Sequence, residues 1–183
     1  MRQEITKERI EHLMKELSRG APRHGDFRVY VVGGGTAVYF GWRRSTIDVD
    51  LYSDEETVFR SIQEIKERLN INIEFARPED FVPALKGSDR RHLFISRIGT
   101  VSFYHYDPCA QLLSKIVRGF DRDLEDARSF ISSGSVNPAQ FLPMVTAIPD
   151  ASYARYPALS RKGVEHMVKT FLDQNAPPSP ESL

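Results

Sequence analysis

Three consecutive glycines at the end of an apolar run constrain this chain more than any other feature. Val29-Tyr30-Val31-Val32 is β-branched and aromatic, and long enough for a buried strand. Gly33-Gly34-Gly35 stops it, because glycine tolerates backbone angles closed to other residues and lets a second backbone or a phosphate come close. Thr36 suits a helix start, Ala37, Val38, Phe40 and Trp42 give that helix apolar surface, and Gly41 suits its end. Amides in a helix's first turn have no carbonyl of that helix to meet, so a glycine turn there is a natural anion cradle.

The next apolar run carries two acids. In Ile47-Asp48-Val49-Asp50-Leu51, strand alternation places Asp48 and Asp50 on one face and Ile47, Val49 and Leu51 toward the core. Neighbouring carboxylates repel unless a cation sits between them. Mg²⁺ (or Mn²⁺) fits, since a hard divalent ion takes one or two carboxylates and completes its shell with substrate phosphate oxygens. Glycine turn and acid pair then form two halves of one site, the logic of metal-assisted phosphoryl or nucleotidyl transfer.

Gly33-Gly34-Gly35-Thr36-Ala37 with Gly41, Arg44, Thr46 and Asp48-Val49-Asp50 resembles the signature of polymerase-β-like nucleotidyltransferases, which pair a glycine turn with a downstream Asp-x-Asp. The resemblance is greatest to small prokaryotic nucleotidyltransferase-like proteins, including toxins of abortive-infection type. A weaker match lies at Lys115-x-x-Arg118 followed by Arg122-Asp123-x-x-Asp126. The resemblance implies a nucleoside triphosphate substrate and Mg²⁺ held by Asp48, Asp50 and a third carboxylate on a neighbouring strand. Glu74 is expected in that third place, with Asp80, Asp107, Asp123 and Asp126 as competitors. It further implies Gly33, Gly34, Gly35, Thr36, Arg44, Thr46 and Arg118 as nucleotide-binding residues, Lys115 near the phosphates, and an antitoxin protein as a partner. The acceptor hydroxyl is open among RNA, protein and small molecule.

The expected fold is α/β (α+β), a mixed sheet flanked by helices over residues 1–107, a helical part over 108–175 and a flexible tail over 176–183. Met1 to Gly20 reads as an amphipathic helix with Ile10, Leu13, Met14 and Leu17 on one face. Ser53 and Glu56 have capping-box spacing ahead of a second helix, and Ile71 to Phe75 reads as a short strand. Leu93 to Ile98 and Val101 to Tyr106 flank Gly99-Thr100 as a hairpin. Its aromatic run, Phe103 to Tyr106, reads as core filling, with alternate residues spaced to stack on a base. His105 reads as a structural, hydrogen-bonded imidazole with a general-base role as the alternative. Helices follow from Pro108, from Asp121, from Asn137-Pro138 and over Ser160 to Asp173.

Composition narrows the function classes. Lysine plus arginine and aspartate plus glutamate number 25 each in 183 residues, so the net charge is zero, which disfavours a general nucleic-acid coat but leaves room for a local basic patch. One cysteine, Cys109, allows neither an internal disulfide nor a cysteine-rich zinc site. No long apolar run implies a membrane span, so a cytoplasmic location is the expectation. Two rival functions remain. One is a non-catalytic binding or partner module on the same fold. The other is a dinucleotide-binding enzyme, for which Gly33 and Gly35 fit the Gly-x-Gly-x-x-Gly turn while Val38 occupies the third glycine position.

Overall fold

A computed structural model describes residues 3–175; the expected flexible tail at 176–183 lies outside the described residues. The chain divides into two units, Met1–Arg77 with Arg91–Asp107 and Pro78–Arg90 with Pro108–Leu183. The first unit thus cedes the segment between its third and fourth strands to the second.

The first unit is a five-stranded mixed sheet in the order β3-β2-β1-β5-β4. Its strands are β1 (Phe27–Val32), β2 (Val49–Tyr52), β3 (Ile73–Phe75), β4 (Leu93–Ile98) and β5 (Val101–His105). β1 is antiparallel to β2 and parallel to β5; β2 is parallel to β3, and β4 is antiparallel to β5. Its helices are α1 (Lys7–Gly20), α2 (Gly33–Tyr39) and α3 (Ile62–Leu69). One face of the sheet supplies Val29, Val31, Val49, Leu51, Ile73, Val101 and Phe103 to a buried core shared with Ile10, Leu13 and Leu17 of α1, Val38 of α2 and Ile65 of α3. Alternation therefore sends Tyr30, Asp50, Tyr52, Glu74 and Tyr104 to the opposite face.

Four local expectations need correction. α1 begins at Lys7, because Ile5 is drawn into an isolated bridge with Thr46. α2 begins at Gly33 itself, so the glycines form the first turn of the helix and not a loop before it. Ile47 is 45% exposed and not in the core; the backbone bends there, between the Thr46 bridge and the start of β2 at Val49, and the alternation starts only after it. Ser53 and Glu56 make no capping box: Ser53 Oγ accepts from the Glu55 amide and closes a local turn. A 3₁₀ segment, Glu56–Phe59, then precedes α3. The hairpin forms as expected, with Gly99 at φ 58° in its turn.

The second unit is helical: α4 (Pro108–Arg118), α5 (Asp121–Ser132), α6 (Pro138–Thr146) and α7 (Arg161–Asn175). α4 packs on α5 and α7, and α6 packs on α7. Leu112, Leu113, Phe130, Phe141, Val164 and Val168 are buried here. Asn137 caps α6 by accepting from the Ala139 amide at 2.9 Å, the role its place before Pro138 implies. No helix among the described residues is long and apolar enough to cross a membrane.

Candidate active site

Register builds the site. Val32, the last residue of β1, pairs with Asp50 of β2, so the glycine turn leaves its strand directly beside that aspartate. Gly33 has φ 61°, and a Cβ added to it would lie 2.5 Å from Asp50 Oδ2. Only glycine suits both the backbone angle and the carboxylate. Next door, a Cβ on Gly34 would meet Thr46 Oγ1 at 2.6 Å and lie 3.6 Å from an Arg43 guanidinium nitrogen. A Cβ on Gly35 would meet Val31 Cγ1 at 2.9 Å, so this glycine serves close packing of α2 on β1. The three glycines thus have three neighbours: an acid, a hydroxyl with a cation, and the core.

Asp50 also pairs in register with Glu74 of β3. In a parallel ladder, paired residues share a face, so these two acids project from the same face of the sheet on neighbouring strands. Asp48 lies just before β2 and is half-buried. Glu74 is exposed on its short strand and accepts a 3.4 Å hydrogen bond from Asn72 Nδ2. Among the described residues no three His, Cys, Asp or Glu side chains converge on a metal-sized point. The donors present are hard carboxylate oxygens, which suit Mg²⁺ when phosphates supply the remaining ligands.

Thr36 is placed for support. Its buried hydroxyl donates to the Val31 carbonyl at 3.1 Å and lies 3.1 Å from His105 Nδ1. With that proton spent on the carbonyl, the imidazole must donate from Nδ1. Burial lowers the His105 pKa from 6.5 to about 4, so the ring is neutral near pH 7. Phe40 stacks on His105 with ring centroids 4.5 Å apart, and Trp42 on Phe40 at 5.0 Å. This column fixes α2 from behind, and it engages the Thr36 hydroxyl, expected to meet phosphate, inside the fold.

Three of the four competitors for the third carboxylate are held by cations of their own unit. Asp107 is fully buried, and Arg91 donates to both of its oxygens at 2.7–3.0 Å. Asp80 is exposed in the 3₁₀ turn Pro78–Asp80 of the helical unit. Asp126 and Asp123 flank Lys115, at 2.6 Å and 3.5 Å from its ammonium. Lys115 is only 5% exposed and Asp126 only 1%. The charge expected to meet nucleotide phosphates is already balanced inside the helical unit, where it ties α4 to α5. Arg118 Nε lies 3.3 Å from Asp123 Oδ2, and its guanidinium lies over Phe81 at 5.1 Å and near Phe120 at 5.9 Å.

Arg44, expected at the nucleotide, is exposed; its neighbour Arg43 is the one whose guanidinium lies against the Gly34 turn. The sequence signal for this is local. Gly41, at φ 78°, turns the chain back along α2, and the Trp42 and Arg43 amides both bond the Ala37 carbonyl. The dinucleotide-binding alternative fails on topology. Its fingerprint lies in a βαβ unit with parallel strands, and here the strand after the glycine turn is antiparallel to β1.

No curated protein and no solved structure matches the chain. Residues 8–175 match the family described as nucleotidyltransferase of unknown function (DUF6036). That span takes in the glycine turn, both aspartates, Glu74 and the buried Lys115 cluster, and the chain belongs to this family of nucleotidyltransferases.

Proposed function

We propose that the protein transfers a nucleoside monophosphate from a nucleoside triphosphate to a hydroxyl acceptor, in a reaction dependent on Mg²⁺ or Mn²⁺. The observation that carries this reading is the contact between Gly33 and Asp50 set by the β1–β2 register. An anion-accepting turn and a cation-accepting acid are adjacent, and Glu74 extends the acid row. Asp48 and Asp50 would hold the metal together with phosphate oxygens of the substrate, and Glu74, in register with Asp50, stands as a further acid on the same face. When bound, the metal supplies Lewis-acid polarisation of the phosphoryl group and neutralises charge on the leaving pyrophosphate. The amides of Gly34 and Gly35 orient phosphate oxygens. Arg43 adds a positive charge where phosphate charge develops. Lys115 and Arg118 are assigned here to holding the helical unit together.

The polymerase-β-like superfamily is the setting in which we read this site, on the strength of its glycine turn and Asp-x-Asp. The antitoxin partner and a toxin role rest on resemblance to abortive-infection type proteins. Isothermal titration with each nucleoside triphosphate, with and without Mg²⁺, tests the chemistry. Metal-dependent binding that is lost in Asp50→Asn is the expected result. Binding indifferent to the metal in both proteins would favour the non-catalytic module. Incubation with α-labelled triphosphates, Mg²⁺ and cell extract then reveals the acceptor as the species that takes up label.

A further inference from the structure

The sheet face that carries the acids carries little else that is acidic. Three rows cross it. The first holds Glu74, Asp50 and Val32 in register. Two residues along, the second holds Tyr52, Tyr30, Tyr104 and Phe94 in consecutive register across β2, β1, β5 and β4. The third holds Arg28, Ser102 and Arg97. The middle of the aromatic row is covered: Tyr30 is buried, with His92 at 4.4 Å and Tyr106 at 5.6 Å. Its β5–β4 end is open. Phe94 is 61% exposed and meets Tyr104 edge-on at 5.5 Å. The Arg28 guanidinium lies 6.0 Å from the Tyr104 ring centre. Arg97 is also exposed and pairs with Asp26 at 3.0 Å, an exposed bond of the kind a phosphate can replace at little cost.

We infer that this open end, Phe94 and Tyr104 flanked by Arg28 and Arg97, binds single-stranded nucleic acid, and that the acceptor of the reaction proposed above is RNA. The acceptor half of this inference rests on that reading. One exposed ring, Phe94, with Tyr104 at its edge and two guanidinium groups nearby, matches the two repeating features of a single strand, bases that stack and phosphates that attract cations. A duplex hides its base faces and offers only phosphates. Two strand spacings and two residues along the strand separate Tyr104 from Asp50, roughly 12 Å by sheet geometry. Phe94 lies one strand farther out, roughly 16 Å from Asp50, so a strand several nucleotides long, passing over the covered Tyr30, spans from Phe94 to the acid row. The zero net charge of the chain is consistent with affinity confined to such a strip.

The test measures fluorescence anisotropy of labelled oligo(U) RNA with the full chain, without nucleotide or metal. Phe94→Ala should weaken binding about 5- to 100-fold, the usual worth of one stacked base. Arg28→Ala should lower the salt slope by about one. Lys15→Ala, an exposed change on α1, which packs on the opposite face of the same sheet, should leave both unchanged, and a 12-base-pair RNA duplex should bind more weakly than the single strand. Circular dichroism shows that the variants remain folded. No single-strand binding, or equal binding by Phe94→Ala, overturns the strip even if the metal-dependent nucleotide titration succeeds. Binding that depends on Phe94 supports the strip even if that titration fails, in which case only the acceptor assignment falls. Label transferred in extract to a protein and not to RNA overturns the acceptor assignment.

Discussion

Two of the charged clusters in this protein follow opposite rules. At the glycine turn, Asp48 is half-buried and Glu74 exposed, and among the described residues no three donors of metal-ligand type converge. In the helical unit, Lys115, Asp123 and Asp126 are almost fully buried, with the ammonium lodged between the two acids. An open cluster leaves part of its charge to be met by a ligand. A closed one has spent its charge on folding, and its removal is felt by the fold first.

The sharpest way to break this contrast is to remove the buried cation. Lys115→Met takes the buried ammonium away from Asp126 and Asp123 and should cost roughly 3–5 kcal/mol in urea unfolding. A loss under 1 kcal/mol, with nucleotide affinity destroyed, would make the cluster a ligand site after all. Next in size is the acid response of His105. Its pKa is about 4 in the folded protein against 6.5 for a free imidazole. The unfolded chain therefore binds the extra proton first. The stability this burial confers is complete above pH 6.5 and is lost as pH falls toward 4, by roughly 3 kcal/mol. His105→Gln should flatten that part of the pH–stability curve, and an unchanged slope would contradict a neutral buried ring.

A smaller pair compares glycines in the two units. Gly33 and Gly134 have φ of 61° and 75°, but a Cβ on Gly134 would meet nothing within 4 Å. Both alanine variants should lose roughly 1–2 kcal/mol to backbone strain. Only Gly33→Ala should also lose metal-dependent nucleotide binding by titration, because its methyl displaces Asp50. The smallest stability effect is expected at the open acids themselves. Asp50→Asn should change unfolding by less than about 1 kcal/mol while weakening Mg²⁺–nucleotide binding at least tenfold. Destabilisation comparable to that of Lys115→Met would erase the distinction between the two clusters.

Much of this was legible in local pattern. The β-branched run before Gly33, the hairpin about Gly99 and the Asn137-Pro138 helix start all express preferences that act within a few residues. So did the closeness of the glycine turn to the acids, since a strand, a short helix and a strand leave little slack. What escaped was set between elements. Lys115 and Asp126 are polar letters on two helices, and nothing in their spacing says that α4 and α5 bury them together. Asp107 read as a possible metal ligand until Arg91, across the hairpin, took both of its oxygens. Arg43 and Arg44 are adjacent in sequence. Only the way Gly41 folds the chain back decides which of them reaches the Gly34 turn.

The pairing of Val32 with Asp50 has a genetic corollary. Positions 33 and 50 are a single choice made at two codons. A lineage that retains the aspartate is forbidden even the smallest side chain opposite it. A lineage that gives up the acid regains some latitude at the glycine. Joint loss of the two among descendants would mark the members of this family in which the chemistry has been abandoned.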